Sequence, residues 1–443
     1  MRLKLWLALV CVLALGGCGW AGAGGGSGNG TVTVAIVANP QMRDIQKLES
    51  VFAREHPDIK VKFVTLPENE ARDRITQDVA TKAGQFDVVM IGTYEAPIWG
   101  RNGWLHDLNE YAGKDPSYDV NDLIPSVRKA LSADGKLYAV PFYGESSFLM
   151  YRKDLFAKAG LQMPAHPTWP QVAGFARRMK APGMSGICLR GLPGWGEQLA
   201  PLDTVINTFG GRWYDPQWNA QLTSPATARA VKFYVNLVKQ AGEPGAPNSG
   251  FSECLTTYGQ GKAAMWYDAT SAATSLEDPK VSNVVGKTGY VAAPVMDTKS
   301  SGWLWAWSLA IPNTAKDPRA AWKFVSWATS KQYIRLVGEK LGWARVPPGS
   351  RLSTYTLAPY VKASSGSAQA TLSALQSVDP DKPGKLPVPY SGIQYVGIPE
   401  FQDLGTKVSQ QFAAVLAGHE SVDAALENAQ AQAQAVADDG YKD

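Results

Sequence analysis

The sequence predicts an α/β protein whose first part forms a parallel β-sheet flanked by helices. Segments with the periodicity of strands alternate near the N-terminus with segments that carry apolar residues at helical spacing. The resulting order, β-α-β-α-β, is typical of parallel sheets, because a parallel connection needs a crossover helix. With 443 residues, the chain is also long enough for two domains.

The elements of this first part follow one another closely. Residues 31–38 (TVTVAIVA) alternate in polarity and then become continuously apolar, which predicts a buried first strand. A break at residues 39–42 follows. We predict next a helix at 44–56, a strand at 59–66, a helix at 69–83 and a short buried strand at 86–91. Further along we predict helices at 171–179, 226–240 and 408–437 and a short strand at 187–190.

Polar and aromatic side chains occupy the loops that follow two of these strands. Ligands of parallel sheets bind beyond the carboxyl ends of the strands. Asn39 and Gln41 follow the first strand, and Tyr94 and Glu95 follow the third. We expect all four to contact a ligand. The alternatives are that the first two cap the next helix and that the other two lie in a solvated loop.

The N-terminus has the pattern of an export signal. A basic start precedes a short apolar run, which ends in small residues, so residues 1–17 are predicted to be a signal peptide and not a membrane span. The sequence Leu-Gly-Gly-Cys at residues 15–18 resembles the lipobox of bacterial lipoproteins, which implies lipidation of Cys18. Residues 18–30 would then form a flexible tether. The alternative is an ordinary signal peptide.

Charge and cysteine content restrict the function further. The formal charge of +4 is mild and unclustered, so nothing indicates a nucleic-acid partner. Two of the four cysteines lie in the exported body, Cys188 and Cys254. In an oxidising compartment we expect them to form a disulfide, although two buried free thiols are the alternative. The four histidines are scattered and predict no metal site or cofactor.

A tryptophan-rich segment is the most unusual feature of the chain. Trp303, Trp305 and Trp307 recur at a spacing of two, so an extended backbone places all three rings on one face. Such a surface needs a cover, either the protein core or a ligand. Flat aromatic rings stack well on the C–H faces of sugars and polyols. Because three alternating residues span more than one small ligand would cover, we expect Trp303 and Trp305 to contact a ligand or line its site and Trp307 to belong to the core.

Several separated motifs resemble one known family. They are Gly-Lys-Leu-Tyr-Ala-Val-Pro at 135–141, Tyr-Arg-Lys-Asp-Leu-Phe at 151–156, Tyr-Gly-Gln-Gly-Lys-Ala-Ala-Met at 258–265 and Ala-Ala-Trp-Lys-Phe-Val-Ser-Trp at 320–327. In this order they resemble the extracellular solute-binding proteins of bacterial ABC sugar importers. The segments 303–307 and 266–270 look most like the subgroup that binds sugar alcohols such as sorbitol and mannitol.

The resemblance implies a two-lobed, type II periplasmic-binding-protein-like α/β fold with the ligand in the cleft between the lobes. The N-terminal lobe would comprise residues 31–141 plus 303–348, and the C-terminal lobe 142–302 plus 349–443. Hinge closure would trap a polyol or small sugar. The protein would be a lipid-anchored monomer at the outer face of the cell membrane, delivering its ligand to permease subunits.

Further ligand contacts are expected in the segments that face this cleft. Carboxylates and guanidinium groups bind hydroxyl groups through charge-assisted hydrogen bonds, and aromatic rings supply apolar contact. These additional candidates are Tyr143, Glu145, Trp195, Glu197, Trp266, Asp268 and Arg345. For Arg345 a structural ion pair is the alternative.

Two other functions remain open at this level. An exported glycoside hydrolase needs only two positioned carboxyl groups, and Glu95, Glu145, Glu197 and Asp268 are the candidates. A binding protein for a peptide or glycerophosphodiester is the third possibility. A phosphodiester would require several cations in the cleft, where the predicted loops offer only Arg345.

Overall fold

A computed structural model describes residues 30–442. The predicted signal peptide, Cys18 and nearly all of the tether lie outside the described residues. The strands are β1 (Gly30–Val37), β2 (Ile59–Leu66), β3 (Val88–Ile91), β4 (Ser132–Ala133), β5 (Lys136–Leu137), β6 (Val140–Glu145), β7 (Ser147–Arg152), β8 (Met265–Ala269), β9 (Thr288–Ala292) and β10 (Trp305–Ala310).

Helices make up most of the remaining structure. They are α1 (Pro40–Glu55), α2 (Glu68–Thr81), α3 (Glu95–Arg101), α4 (Asn109–Ala112), α5 (Pro125–Ala130), α6 (Lys153–Lys158), α7 (Trp169–Met179), α8 (Leu199–Thr208), α9 (Pro225–Ala241), α10 (Phe251–Gly259), α11 (Ala273–Leu276), α12 (Pro318–Ala328), α13 (Lys331–Lys340), α14 (Ala358–Ala363), α15 (Ala368–Ser377), α16 (Phe401–Ala417) and α17 (Val422–Gly440). Short 3₁₀ turns lie between them, two of which, Thr270–Ala272 and Trp343–Arg345, lie near the site described below. Within residues 30–442, no helix combines the length and apolar character needed to cross a bilayer.

The predicted parallel sheet is present and is extended by two antiparallel strands. Its order is β2-β1-β3-β10-β6, with β1 parallel to both β2 and β3. Strand β10 runs antiparallel between β3 and β6. The chain therefore returns to this first sheet more than 150 residues after leaving it, a connection that local patterns do not reveal. We call the part of the molecule built on this sheet the first lobe.

A second, three-stranded sheet has the order β8-β7-β9 and is antiparallel throughout. The chain passes from one sheet to the other at Ser146, between β6 and β7. Helices α8, α9, α16 and α17 pack together, and the Thr204 hydroxyl of α8 hydrogen-bonds with the Tyr267 hydroxyl of β8. We call this part the second lobe.

Some predicted boundaries are wrong for local reasons. Residues 39–42 are not a break, because Pro40 begins α1 and the Asn39 side chain accepts a hydrogen bond from the Met42 N–H as its N-cap. The helical tail is two helices, since Gly418 takes a left-handed conformation (φ 83°) that ends α16. The expected strand at 187–190 is reduced to a single bridge between Cys188 and Trp266.

The structure joins Cys188 to Cys254, as expected, across 66 residues of sequence. Both cysteines are fully buried in a small apolar cluster that includes Phe148, Met150 and Trp266. The bond ties α10 to the segment beside β8 in the second lobe. In the chain-entropy model a loop of this length contributes about 4 kcal/mol to stability.

We expect the double variant Cys188→Ala/Cys254→Ala to lose roughly that free energy of unfolding, about 4 kcal/mol. Urea unfolding with and without reductant measures the effect. Reductant should lower the stability of the wild-type protein and leave the double variant unchanged. If reductant did not affect the wild type, the bond would contribute nothing.

Candidate functional site

A cavity of about 330 Å³ lies between the two lobes. Its first-lobe wall begins at the carboxyl ends of β1 and β2, where Ala38, Asn39 and Glu68 line it. The opposite wall comes from the second lobe, chiefly the segment that contains Trp195 and the start of α10. Ligand pockets range over about 300–1,000 Å³, so this cavity suits a small molecule. The expectation that ligands lie beyond the carboxyl ends of the strands agrees with this position.

Four tryptophan rings form one side of the cavity. Trp303, Trp305 and Trp307 all line it, and Trp195 joins them from the second lobe. The Trp195 and Trp305 rings meet edge to face with centroids 5.9 Å apart. Trp307 belongs to the buried core cluster, as expected, and it also lines the cavity, because the alternation that turns Trp305 toward the cavity turns Trp307 the same way.

The guanidinium group of Arg72 lies among these rings. Its Cζ atom is 4.0 Å from the centroid of Trp195, 4.9 Å from that of Trp305 and 4.8 Å from that of Trp307. Such cation–π contacts are strongest where water is excluded. Two carboxylates complete the surroundings, with Glu68 Oε1 2.9 Å from Nη2 and Glu95 Oε1 2.5 Å from Nη1. The charge of Arg72 is therefore buried and fully paired.

A second buried guanidinium group, that of Arg190, belongs to the second lobe. It donates to both carboxylate oxygens of Asp268, at 2.8 Å from Nε and 2.5 Å from Nη2. Its Nη1 atom lies 3.4 Å from Glu197 Oε2. Arg190 and Glu197 line the cavity, whereas Asp268 lies behind them and is fully buried.

Glu145 is a buried carboxyl group that lines the cavity at the crossing between the lobes. It accepts a hydrogen bond from the Ser271 hydroxyl of the second lobe. Burial is the main cause that raises its pKa to about 8, and the charges of Asp268 and Glu68 add to the effect. Burial and the neighbouring Glu68 likewise raise the pKa of Glu197 to about 7.

The structure brings about half of the residues predicted for the site together. Those that line the cavity are Asn39, Tyr143, Glu145, Trp195, Glu197, Trp303 and Trp305. Those that lie outside its lining are Gln41, Tyr94, Glu95, Trp266, Asp268 and Arg345. Asn39 has both roles considered for it, since its side chain caps α1 and also donates to the Tyr143 hydroxyl at 3.1 Å.

The residues outside the lining have identifiable structural partners. Glu95 and Asp268 hold the two guanidinium groups, and the Trp266 indole N–H donates to Asp268 Oδ2 at 3.0 Å. The Tyr94 hydroxyl donates to the carbonyl oxygens of Ile398 and Pro399. These side chains support the cavity wall and do not form its surface.

Arg345 and Gln41 instead connect the two lobes. The Arg345 guanidinium group binds Asp44 of α1 with Nε and Nη2 at 2.8 and 2.6 Å, and it also pairs with Asp278, which follows α11 of the second lobe. Gln41 Nε2 lies 3.1 Å from Thr274 Oγ1 of α11. Arg345 therefore forms structural ion pairs, which was the alternative to ligand contact.

Sequence reasoning missed Arg72 and Arg190, so the statement that only Arg345 supplied a cation to the cleft was wrong. Arg72 lies inside a polar helix, one turn after Glu68, and looks like a surface residue. Arg190 ends an apolar stretch whose partner Asp268 lies 78 residues away. The Glu68–Arg72 spacing of four was the one available signal. Gln394, which also lines the cavity, lies in an irregular loop with no pattern to mark it.

Comparison with known proteins now identifies the family. A family model described as "Bacterial extracellular solute-binding protein" matches residues 31–334. The chain belongs to this family. Members of the family are exported, which agrees with the expected location of this protein, and its two-lobed α/β fold is confirmed by solved structures of similar proteins.

Two similar proteins cover nearly the whole chain. The chain is 47% identical over 399 residues to a mannitol-binding protein of Pseudomonas aeruginosa, a match that covers 89% of this chain and 90% of that protein. A solute-binding protein of an ABC transporter from Agrobacterium vitis S4, solved with bound D-mannitol, is 50% identical, with a TM-score of 0.91 over 93% of this chain and 99% of that one.

A third similar protein extends the comparison to another polyol. A solute-binding protein from Agrobacterium radiobacter K84, solved in complex with ribitol, is 25% identical, with a TM-score of 0.81. The match covers 92% of this chain and 98% of that one.

Because the pKa of Glu145 is raised in the folded protein, the free energy of unfolding should depend on pH. A carboxyl group whose pKa rises on folding stabilises the fold fully below its ordinary pKa, and the contribution is lost as the pH rises through about 8. Glu145→Gln removes the ionisation and keeps the hydrogen-bonding shape. We expect its melting temperature to rise relative to the wild type by a few degrees between pH about 5 and about 9.

A melting series over this pH range measures the difference, with Glu70→Gln as control, because Glu70 lies half exposed on α2. The control should follow the wild type at every pH. Parallel curves for Glu145→Gln and the wild type would show that Glu145 ionises in the folded protein as it does in water.

Proposed function

We propose that this protein captures a six-carbon sugar alcohol, mannitol or a close stereoisomer, for an ABC importer. The observation that carries this proposal is a cavity of about 330 Å³ that combines aromatic walls with many hydroxyl-binding groups. The similar proteins that are named for mannitol, or were solved with mannitol or ribitol, support the choice of ligand class. A small sugar remains a secondary ligand of the same site.

The polar groups of the lining suit a ligand that bears a hydroxyl group on every carbon. The indole nitrogens of Trp195, Trp303 and Trp305 are buried and have no hydrogen-bond acceptor among residues 30–442. The side-chain oxygen of Gln394 likewise has no hydrogen-bond donor in the described part of the chain. Buried polar groups need partners, and a polyol hydroxyl both donates and accepts. The ring faces would contact its C–H groups.

The known proteins similar to this chain are binding proteins and give a hydrolase no support. Asp268, one of the expected carboxylates of a hydrolase, is bound at both oxygens by Arg190 and lies behind the wall. Glu145 and Glu197 do line the cavity, but carboxyl groups there serve equally well to bind the hydroxyl groups of a ligand. We therefore regard the protein as a binding protein that performs no chemistry.

A phosphodiester ligand is also disfavoured, for a different reason from the one the sequence suggested. Two cations do line the cavity, but each already pairs with two carboxylates. Neither offers a free charge to a phosphate group.

Several features of the cellular role belong to the same proposal. We propose the lobe division expected from the sequence, residues 31–141 plus 303–348 and 142–302 plus 349–443, with the first crossing moved to Ser146, directly after β6 ends. Permease subunits would be the partners of the loaded monomer. Lipidation at Cys18, after removal of residues 1–17, would hold the protein at the outer face of the membrane. The Cys188–Cys254 bond would form after export, where oxidising conditions allow it.

Calorimetric titration with mannitol, sorbitol and ribitol tests the ligand class. We expect saturable binding of at least one hexitol with no product formed. Trp303→Phe keeps a ring and removes the N–H, so it should weaken binding about 2- to 10-fold, the value of one hydrogen bond. Trp218→Phe is the matched control, because Trp218 stacks on Tyr441 outside the cavity lining. No binding across a panel of polyols and sugars would overturn the proposal.

Closure of the lobes makes a separate prediction for Arg345. The side chain touches both lobes without lining the cavity, so it stabilises the closed form without contacting the ligand. Arg345→Ala removes the link between Asp44 and Asp278 and leaves Asp44 with Lys47 alone, and we expect about 10-fold weaker binding through faster ligand release. Stopped-flow kinetics measures the release rate. Arg74→Ala, at an exposed position of α2, should bind normally, and equal release rates for both variants would refute the role.

A further inference from the structure

The charges around the cavity are unbalanced among the described residues. Two guanidinium groups, those of Arg72 and Arg190, face a larger set of carboxyl groups. The carboxyl groups that line the cavity or bind those guanidinium groups are those of Glu68, Glu95, Glu145, Glu197, Glu253 and Asp268. Carboxyl groups therefore outnumber guanidinium groups three to one around the cavity. A neutral ligand would not compensate this excess of carboxyl groups.

The pairing pattern places this excess at the cavity surface. Arg72 is taken up by Glu68 and Glu95, and Arg190 by Asp268 and Glu197. Glu145 forms no salt bridge within residues 30–442, although its carboxyl group is buried. Its single side-chain hydrogen bond comes from the uncharged hydroxyl of Ser271. A cation placed beside Glu145 would gain a partner that the protein does not provide.

We propose that the cavity also binds cationic amino polyols, such as 1-amino-1-deoxymannitol, and rejects sugar acids and sugar phosphates of the same length. This inference rests on the proposed function, since the ammonium group would replace one terminal hydroxyl of the polyol chain. An ammonium group donates three hydrogen bonds and no larger volume is needed. A carboxylate or phosphate in the same position would meet Glu145 and Glu197 across a site of low dielectric.

The groups that face Glu145 from neighbouring elements support this direction. Tyr143 lies on its own strand, Glu68 on α2, Ser271 on a turn of the second lobe, and Arg190 and Asp268 deeper in that lobe. Burial is the largest influence on the pKa of Glu145, which rises to about 8, with Arg190 opposing the rise and Asp268 and Glu68 adding to it. The site thus already favours an added positive charge, which a proton supplies when no cation is bound.

The release of a proton on binding makes the affinity for an amino polyol depend on pH. When an ammonium group binds beside Glu145 at neutral pH, the carboxyl group loses its proton to the solvent. Binding of the amino polyol should therefore strengthen as the pH rises from about 6 to about 8, while the ligand stays protonated. An anionic analogue should weaken further over the same range, because both Glu145 and Glu197 ionise within it.

The experiment compares three matched ligands by calorimetry on the full exported protein: mannitol, 1-amino-1-deoxymannitol and mannonate. The buffer contains no amino alcohol, since such a buffer would compete. We expect the amino polyol to bind with at least a tenfold gain between pH about 6 and about 8. We expect mannonate to bind at least 100-fold more weakly than mannitol at the higher pH. Mannonate binding equal to that of mannitol, or no pH-dependent gain for the amino polyol, would overturn the inference.

Two variants assign the effect to named groups. Glu145→Gln should lower the ratio of amino-polyol to mannitol affinity at least tenfold, and the ratio corrects for any general loss of binding. Glu253 is an exposed residue at the rim of the cavity, and glutamine at this position would still accept a hydrogen bond from the Gly250 N–H. Glu253→Gln therefore removes one negative charge from the cavity without risk to folding. Glu253→Gln should lower the ratio of amino-polyol to mannitol affinity less than Glu145→Gln does. An unchanged ratio in both variants would contradict the inference, whereas failure of mannitol itself to bind would contradict the proposed function.

Discussion

The buried guanidinium group of Arg72 is the interaction on which the cavity depends. Removing a cation from water costs several kcal/mol unless it is paired and hydrogen-bonded. Glu68 and Glu95 supply that pairing from α2 and α3, and three tryptophan rings close over the planar group. One of those rings, Trp195, belongs to the second lobe. The same group therefore holds the first-lobe wall together and gives the second lobe a surface on which to rest.

Strand β10 provides the other half of this arrangement. Its residues alternate between the two faces of the sheet, so Trp305 and Trp307 are presented together while Ala306 and Ser308 face away. Its position between β3 and β6 leaves no room for side chains at the neighbouring turn. At Gly92, which follows β3, a Cβ atom would lie 2.0 Å from the Trp305 ring. A glycine at the carboxyl end of β3 is thus a condition for the orientation of that ring.

The parallel part of the fold could be predicted because each strand and helix carries its own periodicity. The return of β10 to the first sheet could not, because it depends on pairing between distant segments, and only resemblance to a family suggested it. The same limit applies to the site. Asn39 and Trp303 follow from local position or spacing, whereas the role of Asp268 depends on Arg190, 78 residues away, which turns an expected ligand group into a structural one.

Closure of the lobes ties these local arrangements to binding. Gly196 of the second lobe approaches the first so closely that a Cβ atom there would lie 2.3 Å from Glu68 Oε1 and 2.9 Å from Arg72 Nε. Ser271 reaches Glu145 across the same boundary, and Arg345 spans it farther out. The contacts of Ser271 and Arg345 are polar, and each can exchange for water when the lobes separate. Opening would also separate the Trp195 ring from Arg72 and Trp305, so the ligand and this ring together decide the balance between open and closed forms.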